Sequence, residues 1–230
     1  MRAHVLPMVL LPCALAACGN VEEPVDVLDC GEVSGLLACN TFEADDPAWT
    51  SIENGGVATL DDRDASGGTK ALRAQVAVMG GKAVRTRGVE SADRYYARFF
   101  AKIPTGVDTA GIALLHLGEP VEPYLGTNVE IADGKLGIAV HSAEVYEYPS
   151  PMPVDRWTCL ELELVVSETG GRVILRADGQ TITDRNGIDT RPAGGIGDVE
   201  VGLSYVAATG GATALIDDVV IAREPLPACR

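Results

Sequence analysis

The sequence predicts an all-β fold: a two-sheet antiparallel sandwich with little or no helix. Three observations carry this. First, no stretch free of Gly and Pro exceeds 16 residues, which leaves little room for long helices. Second, that longest stretch, 154–169, alternates. Leu160, Leu162 and Leu164 fall on one side and Cys159, Glu161 and Glu163 on the other, the period of a half-buried strand. Third, Asp133-Gly134 and Asp178-Gly179 each sit between alternating apolar runs. An Asp-Gly pair accepts the positive φ of a two-residue hairpin turn.

Taken in order, the chain opens with Met1-Arg2-Ala3-His4 and then runs apolar from Val5 to Ala17. A short cationic start followed by about a dozen apolar residues is an export signal, too short to span a bilayer. The run ends Leu15-Ala16-Ala17-Cys18, which resembles the lipobox of bacterial lipoproteins. That resemblance implies lipidation of Cys18, a leader at 1–17 and anchoring by acyl chains. Gly19 rather than Asp follows the cysteine, and in families that use Asp for inner-membrane retention this implies the outer membrane or cell surface. Residues 18–38 read as the lipidated cysteine and an acidic tether, and 39–230 as one domain. No internal repeat or second domain is visible.

Cys30, Cys39, Cys159 and Cys229 remain for the exported part. Four cysteines in an oxidising compartment suggest two disulfides, with three possible connectivities. There is no Cys-x-x-Cys and no Cys/His cluster with zinc spacing.

Further strands are expected at 71–77, with Leu72, Ala74 and Val76 inward; at 94–103, with Tyr95, Ala97, Phe99, Ala101 and Ile103 inward; and at 199–206 and 213–222. About a dozen short strands with frequent turns mean a sandwich or barrel. The chain is 47% hydrophobic, which suffices for a sizeable core, and its net charge of −15 argues against a nucleic-acid partner, because a phosphate backbone needs a positive face. The expected state is a monomer.

Four stretches carry a resemblance to the concanavalin A-like lectin/glucanase jelly roll: Thr41-Phe42-Glu43 with Trp49, the segment 94–104, the segment 157–179 ending in Asp178-Gly179, and 215–222. Galactose-binding-like modules, which also open on Phe-Glu and close on Asp-Asp, are the alternative jelly roll. In both families the first and last strands pair antiparallel. Placing Phe42 opposite Asp217 gives a register that also sets Cys30 opposite Cys229, so the resemblance implies Cys30–Cys229 and Cys39–Cys159. On these paired terminal strands Glu43 and Asp217 are expected to face each other, with Asp218 beside them, which suits a structural Ca²⁺, since carboxylates and carbonyls are calcium ligands.

For catalysis, the Glu-x-Asp-x-Glu of laminarinase-type glucanases is absent. Alginate-lyase-type enzymes use Gln-x-His on one strand and a late Tyr. His116 and Tyr205 stand at comparable places, though Leu114 replaces the Gln. His116 shares parity with Ile112 and Leu114, which predicts a packed or rim histidine. No Gly-x-Ser-x-Gly elbow or phosphate loop is present.

The unusual surface is 70–102, with eight bases against two acids. On the strand from Arg94 the outward positions are Arg94, Tyr96, Arg98, Phe100 and Lys102, with Arg85 nearby. Alternating cations and rings suit an acidic polysaccharide. The expected function is a surface-anchored lipoprotein that binds a polysaccharide or cell-surface glycan. The alternatives are a polysaccharide lyase or glycanase of the same fold, and a structural or adhesion protein of the envelope. The lyase alternative requires His116 and Tyr205 on one face with Arg85 or Arg98.

Overall fold

The computed structural model describes residues 29–119 and 125–229. The expected leader at 1–17 and the lipidated Cys18 lie outside the described residues. Sheet A is built from β1 (Leu36–Asn40), β3 (Gly56–Asp61), β4 (Ala71–Val76), β6 (Arg94–Lys102), β11 (Thr158–Val165), β12 (Gly171–Ala177), β13 (Gln180–Ile188) and β15 (Ala212–Ala222). Sheet B contains β2 (Thr50–Asn54), β5 (Lys82–Gly88), β7 (Ile112–Gly118), β8 (Gly126–Ala132), β9 (Lys135–Val140), β10 (Val145–Pro151) and β14 (Asp198–Val206). Their spatial orders are β13-β12-β11-β6-β15-β4-β3, with β1 also on β15, and β10-β9-β8-β7-β14-β5-β2. Among the described residues, the strands of both sheets pair antiparallel throughout. The chain switches sheets repeatedly, so its first and last strands close sheet A together while β7 and β14 pair at the centre of sheet B. This is a concanavalin-like jelly roll.

The inward residues read from the sequence form the core between the sheets. Leu72, Ala74, Tyr95, Ala97, Phe99, Ala101, Leu160, Leu162 and Leu164 all belong to one apolar cluster with Leu115, Leu117, Val129 and Ile131 of sheet B. Each fully buried aliphatic side chain stabilises by about 1.5–3 kcal/mol. Both Asp-Gly hairpins are present: Asp133 and Asp178 take positive φ, as do the glycines after them. Helix is confined, among the described residues, to two single 3-10 turns, Cys30–Glu32 and His141–Ala143.

The terminal strands pair in the expected register, with Cys39 opposite Val220 and Asn40 opposite Val219. The disulfides inferred by extending that register do not form. The bridges are Cys30–Cys39 and Cys159–Cys229, with Cα separations of 5.9 and 6.2 Å. The physical reason is that the ladder stops short of Cys30 and Cys229. The register slips between Leu36 and Ala38, and Cys30 sits in a turn that doubles back to Cys39. Beyond Ala222 the chain leaves β15 and crosses the outer face of sheet A. There the Arg98 guanidinium donates to the Pro227 carbonyl (3.3 Å) and the Cys229 N–H donates to Glu161 (3.4 Å). The Cys30 turn and the start of β1, inside the segment 18–38 expected to be tether, are thus part of the folded unit.

The two bridges close loops with sequence separations of 9 and 70 residues. On chain entropy these stabilise by about 2.6 and about 4.4 kcal/mol. Urea denaturation should show Cys159→Ser/Cys229→Ser losing more stability than Cys30→Ser/Cys39→Ser, and equal losses would contradict the pairing.

Candidate functional site

The outer face of sheet B carries a groove of about 670 Å³ lined by His116, Asn128, Glu130, His141, Tyr146, Tyr148, Lys82, Glu200 and Tyr205. Two irregularities place its catalytically capable side chains. On β7 the pairing slips between Ala113 and Leu115, so Leu114 is an extra residue. Ile112, Leu114, Leu115 and Leu117 are all buried in the core, and the slip turns His116 to the opposite face. His116, expected to be packed or at a rim, is thus a buried side chain in the groove lining. On β14 the pairing with β7 slips between Val201 and Tyr205, around Gly202, whose φ is +123° and whose Cβ would meet the Ala83 carbonyl at 2.5 Å. Val201, Leu203 and Val206 stay in the core while Tyr205 is sent outward. Bulges of this kind re-aim side chains next to functional sites.

The other groove residues follow plain alternation. On β8, Val129 and Ile131 face the core while Asn128 and Glu130 face out. Asn128 accepts from His116 Nδ1 through its carbonyl oxygen (2.6 Å). Its amide nitrogen reaches Glu130 Oε1 (2.7 Å) and His141 Nε2 (3.0 Å). The Tyr148 hydroxyl donates to Glu130 Oε2 (2.7 Å). The Glu130 carboxylate only accepts, which fixes the amide orientation and, through it, both imidazoles. His141 Nε2 must be an acceptor, and His116 must carry its proton on Nδ1. His116 Nε2 is then the basic nitrogen; it is buried with no hydrogen-bond partner among the described residues. The ring packs against a facing glycine pair, and a Cβ at Gly118 would stand 2.6 Å from Nε2. Burial holds His141 below the ordinary histidine range, and burial followed by the hydrogen bond to Glu130 pushes Tyr148 well up.

Across the groove Lys82 Nζ donates to Glu200 Oε1 (2.6 Å). The groove therefore contains two carboxylates, one ammonium and two imidazoles, bordered by the exposed rings of Tyr146 and Tyr205.

The strand face expected to bind acidic sugar is closed. Arg98 is only 2% exposed and Phe100 is buried. Glu161 and Glu163 of β11 stand directly opposite Arg98 and Tyr96, and the C-terminal segment lies on Arg98. Lys102 is paired with Asp64 (2.6 Å), and Arg85 with Asp45 (3.1 Å). Arg94 alone of the five is largely exposed. The surplus acids of the chain neutralise this segment across strands. The groove residues Asn128, Glu130, Tyr146 and Tyr148 were missed, although the alternation Asn128-Val129-Glu130-Ile131 was a readable signal.

Asp217 lies on β15 of sheet A and Glu43 in the bend that follows β1. Glu43 accepts from the Thr69 N–H (2.8 Å), the Thr69 hydroxyl (2.6 Å) and the Lys70 N–H (3.1 Å), and is pulled below the ordinary carboxylate range, first by the Thr69 hydroxyl. Asp217 accepts from the Ser66 and Gly67 N–H groups (2.8 and 3.3 Å). β15 bulges at Asp218, whose φ is +47°, and this buries both aspartates. Burial, then the neighbouring Asp218, pushes Asp217 up to about 7. Burial raises Asp218 to about 6, with Glu43 adding to it and Arg98 opposing. Asp218 Oδ2 is a buried oxygen with no hydrogen-bond partner among the described residues. A buried carboxylate pair with an unpartnered oxygen fits the chemistry of a hard cation. Among the described residues, however, no three His, Cys, Asp or Glu side chains are grouped as a metal-binding set.

No protein-family model matches the chain, and no curated protein sequence does. Solved structures do. "Cellulose induced protein, Cip1" superposes with a TM-score of 0.65 at 17% identity, covering 84% of this chain and 100% of that one. An endo-β-1,4-glucuronan lyase from the fungus Trichoderma reesei gives 0.59 at 13%, covering 77% and 92%. Alginate lyase vAL-1 from Chlorella virus gives 0.55 at 12%, covering 77% and 93%. At these identities the likeness establishes the shared jelly-roll fold.

The two raised aspartates have a signed consequence. Their folded-state values lie above the ordinary 3.8, so between about pH 4 and 7 the native state binds protons that the unfolded state has released. Their contribution to stability is then largest at low pH and is lost as pH rises through 6 to 7. In chelator-treated protein, Asp218→Asn should flatten the fall in thermal midpoint between pH 5 and 8. An unchanged slope would show that these carboxylates do not titrate as described.

Proposed function

We propose that the domain binds an uncharged polysaccharide chain along the groove on the outer face of sheet B. The observation that carries this is the pair of exposed rings, Tyr146 and Tyr205, each 53% exposed, flanking a cleft lined with hydrogen-bonding side chains. Rings offer an apolar face to a pyranose, while carboxylates, amide and imidazoles bond its hydroxyls. Glu130 and Glu200 outnumber Lys82 in the groove, which disfavours a polyanion; this moves the reading away from the acidic polysaccharide suggested by the Arg94 strand. The fold shared with carbohydrate-related proteins supports a glycan partner.

A second reading, elimination on a uronate chain, is favoured by one observation: His116 and Tyr205 line the same groove, and the hydrogen-bond chain leaves His116 Nε2 basic. The neighbours named as glucuronan and alginate lyases support it. Against it, Arg85 is paired with Asp45 and Arg98 lies on the other sheet, so neither cation required for that chemistry is in the groove.

We further propose that acyl chains on Cys18 hold the domain at the cell surface. The two disulfides suit an exported protein, and no helix among the described residues is long and apolar enough to cross a membrane. An intact mass showing unmodified Cys18 in the membrane fraction would contradict the anchor.

Titration calorimetry with cellohexaose and with an oligoglucuronate tests the binding reading. Tyr146→Ala and Tyr205→Ala should each weaken cellohexaose binding about tenfold, and Arg94→Ala should leave it unchanged. Oligoglucuronate binding that is lost in Arg94→Ala, or unsaturated ends released from that oligomer, would overturn it.

A further inference from the structure

We infer that His141 is a protonation latch for this groove, so that acidification disassembles the hydrogen-bonded floor and releases the glycan. The inference rests on the groove being the binding site, but its structural basis is independent of what binds.

The basis is the saturation of one amide. Asn128 spends its oxygen on His116 Nδ1, one amide hydrogen on Glu130 Oε1 and the other on His141 Nε2, at 2.6, 2.7 and 3.0 Å. The last bond exists only while His141 Nε2 holds a lone pair. When a solvent proton adds there, two N–H donors face each other, and one must turn away. The imidazolium has an alternative acceptor already near it, Glu130 Oε1 at 4.0 Å. An imidazolium–carboxylate pair is stronger than the neutral amide contact it replaces. Glu130 is not swung away by the change, because Tyr148 holds its second oxygen. The group that yields is Asn128, and when it rotates it withdraws its oxygen from His116.

The surroundings of His141 transmit the change. From β8 it faces Asn128 and Glu130, and from β7 His116. From β10 it meets Tyr146 edge-on, with ring centroids 5.8 Å apart and planes at 77°, and Tyr148 through Glu130. The Lys82–Glu200 pair stands across the groove. The turn that carries His141 is a single 3-10 turn, tied to the segment after β13 by the Ser142 hydroxyl on the Asp189 carbonyl (2.9 Å). Movement of His141 therefore carries Tyr146, one of the two rings proposed to stack on sugar. Burial favours the neutral ring, with Glu130 opposing and His116 adding to the effect. The assembled state is thus the one present at neutral pH, and the latch opens at acid pH.

The test is NMR of protein carrying ¹⁵N-labelled histidine, titrated from pH 8 to pH 5, with cellohexaose affinity measured over the same range. At pH 8 both His116 and His141 should be Nδ1–H tautomers. As His141 takes up its proton, the hydrogen-bonded His116 Nδ1–H signal should disappear in the same step, and affinity should fall at least fivefold with the same midpoint. In His141→Gln, whose side-chain oxygen accepts from Asn128 without a proton to gain, the His116 signal should persist through that range, and the affinity that the variant has at pH 8, whatever its size, should lose its step with pH. The wild-type titration decides the matter even where the variant fails to fold. A proton on His141 Nε2 at pH 8, or protonation of His141 with the His116 signal unchanged, would overturn the latch. So would affinity that stays constant through a coupled step. A coupled step with no cellohexaose binding at any pH would instead overturn the glycan reading and leave the latch standing.

Discussion

Each central strand of this sandwich must give one face to the core, and that constraint governs everything its outer faces display. A strand can change which residues it shows only where it inserts an extra one. The chain does so at Leu114 on β7, around Gly202 on β14 and at Asp218 on β15. The first two turn His116 and Tyr205 to the same side of sheet B. The third buries two adjacent carboxylates in sheet A. The core does not suffer, because apolar residues occupy the inward positions on both sides of each bulge, as with Leu203 and Val206 or Ile216 and Val219.

The two outer faces meet opposite fates. Sheet A has its cations answered across the ladder by Glu161, Glu163, Asp64 and the buried Asp218. Its C-terminal segment is then laid over Arg98 and locked by Cys159–Cys229. Sheet B keeps its outer face open, because nothing among the described residues crosses it. Its polar groups satisfy one another through Asn128 rather than through a covering strand. A fully satisfied network fixes a single arrangement, and the same network becomes costly when one member changes its protonation state. The rigidity of the groove floor and its sensitivity to acid have one origin.

Much of this was legible in the sequence. The inward sets on β4, β6 and β11 follow from period two, and the hairpins follow from Asp-Gly. The antiparallel register of the terminal strands was also correct where those strands actually pair. The disulfides were misassigned because that register was extended past the ends of the ladder, where turns and not pairing decide which cysteines meet. Outward parity on β6 was right for Arg94 to Lys102, yet parity says nothing of what lies on top. Cross-strand acids and a chain terminus closed that face. The bulges left faint marks: consecutive apolar residues at Ala113-Leu114-Leu115, a glycine inside β14, and the doubled aspartate of β15. Without a partner strand in view, none of these marks fixes where parity reverses, so simple parity groups His116 with Ile112 and Leu114.

The most direct test of the account is to map where a glycan touches the protein. Amide chemical-shift changes on adding an oligosaccharide that binds should concentrate on β7, β8, β10 and the end of β14, around His116, Asn128, Tyr146 and Tyr205. Shifts confined to β6, β11 and the C-terminal segment would place the binding face on sheet A and contradict the claim that the bulged face of sheet B is the functional one.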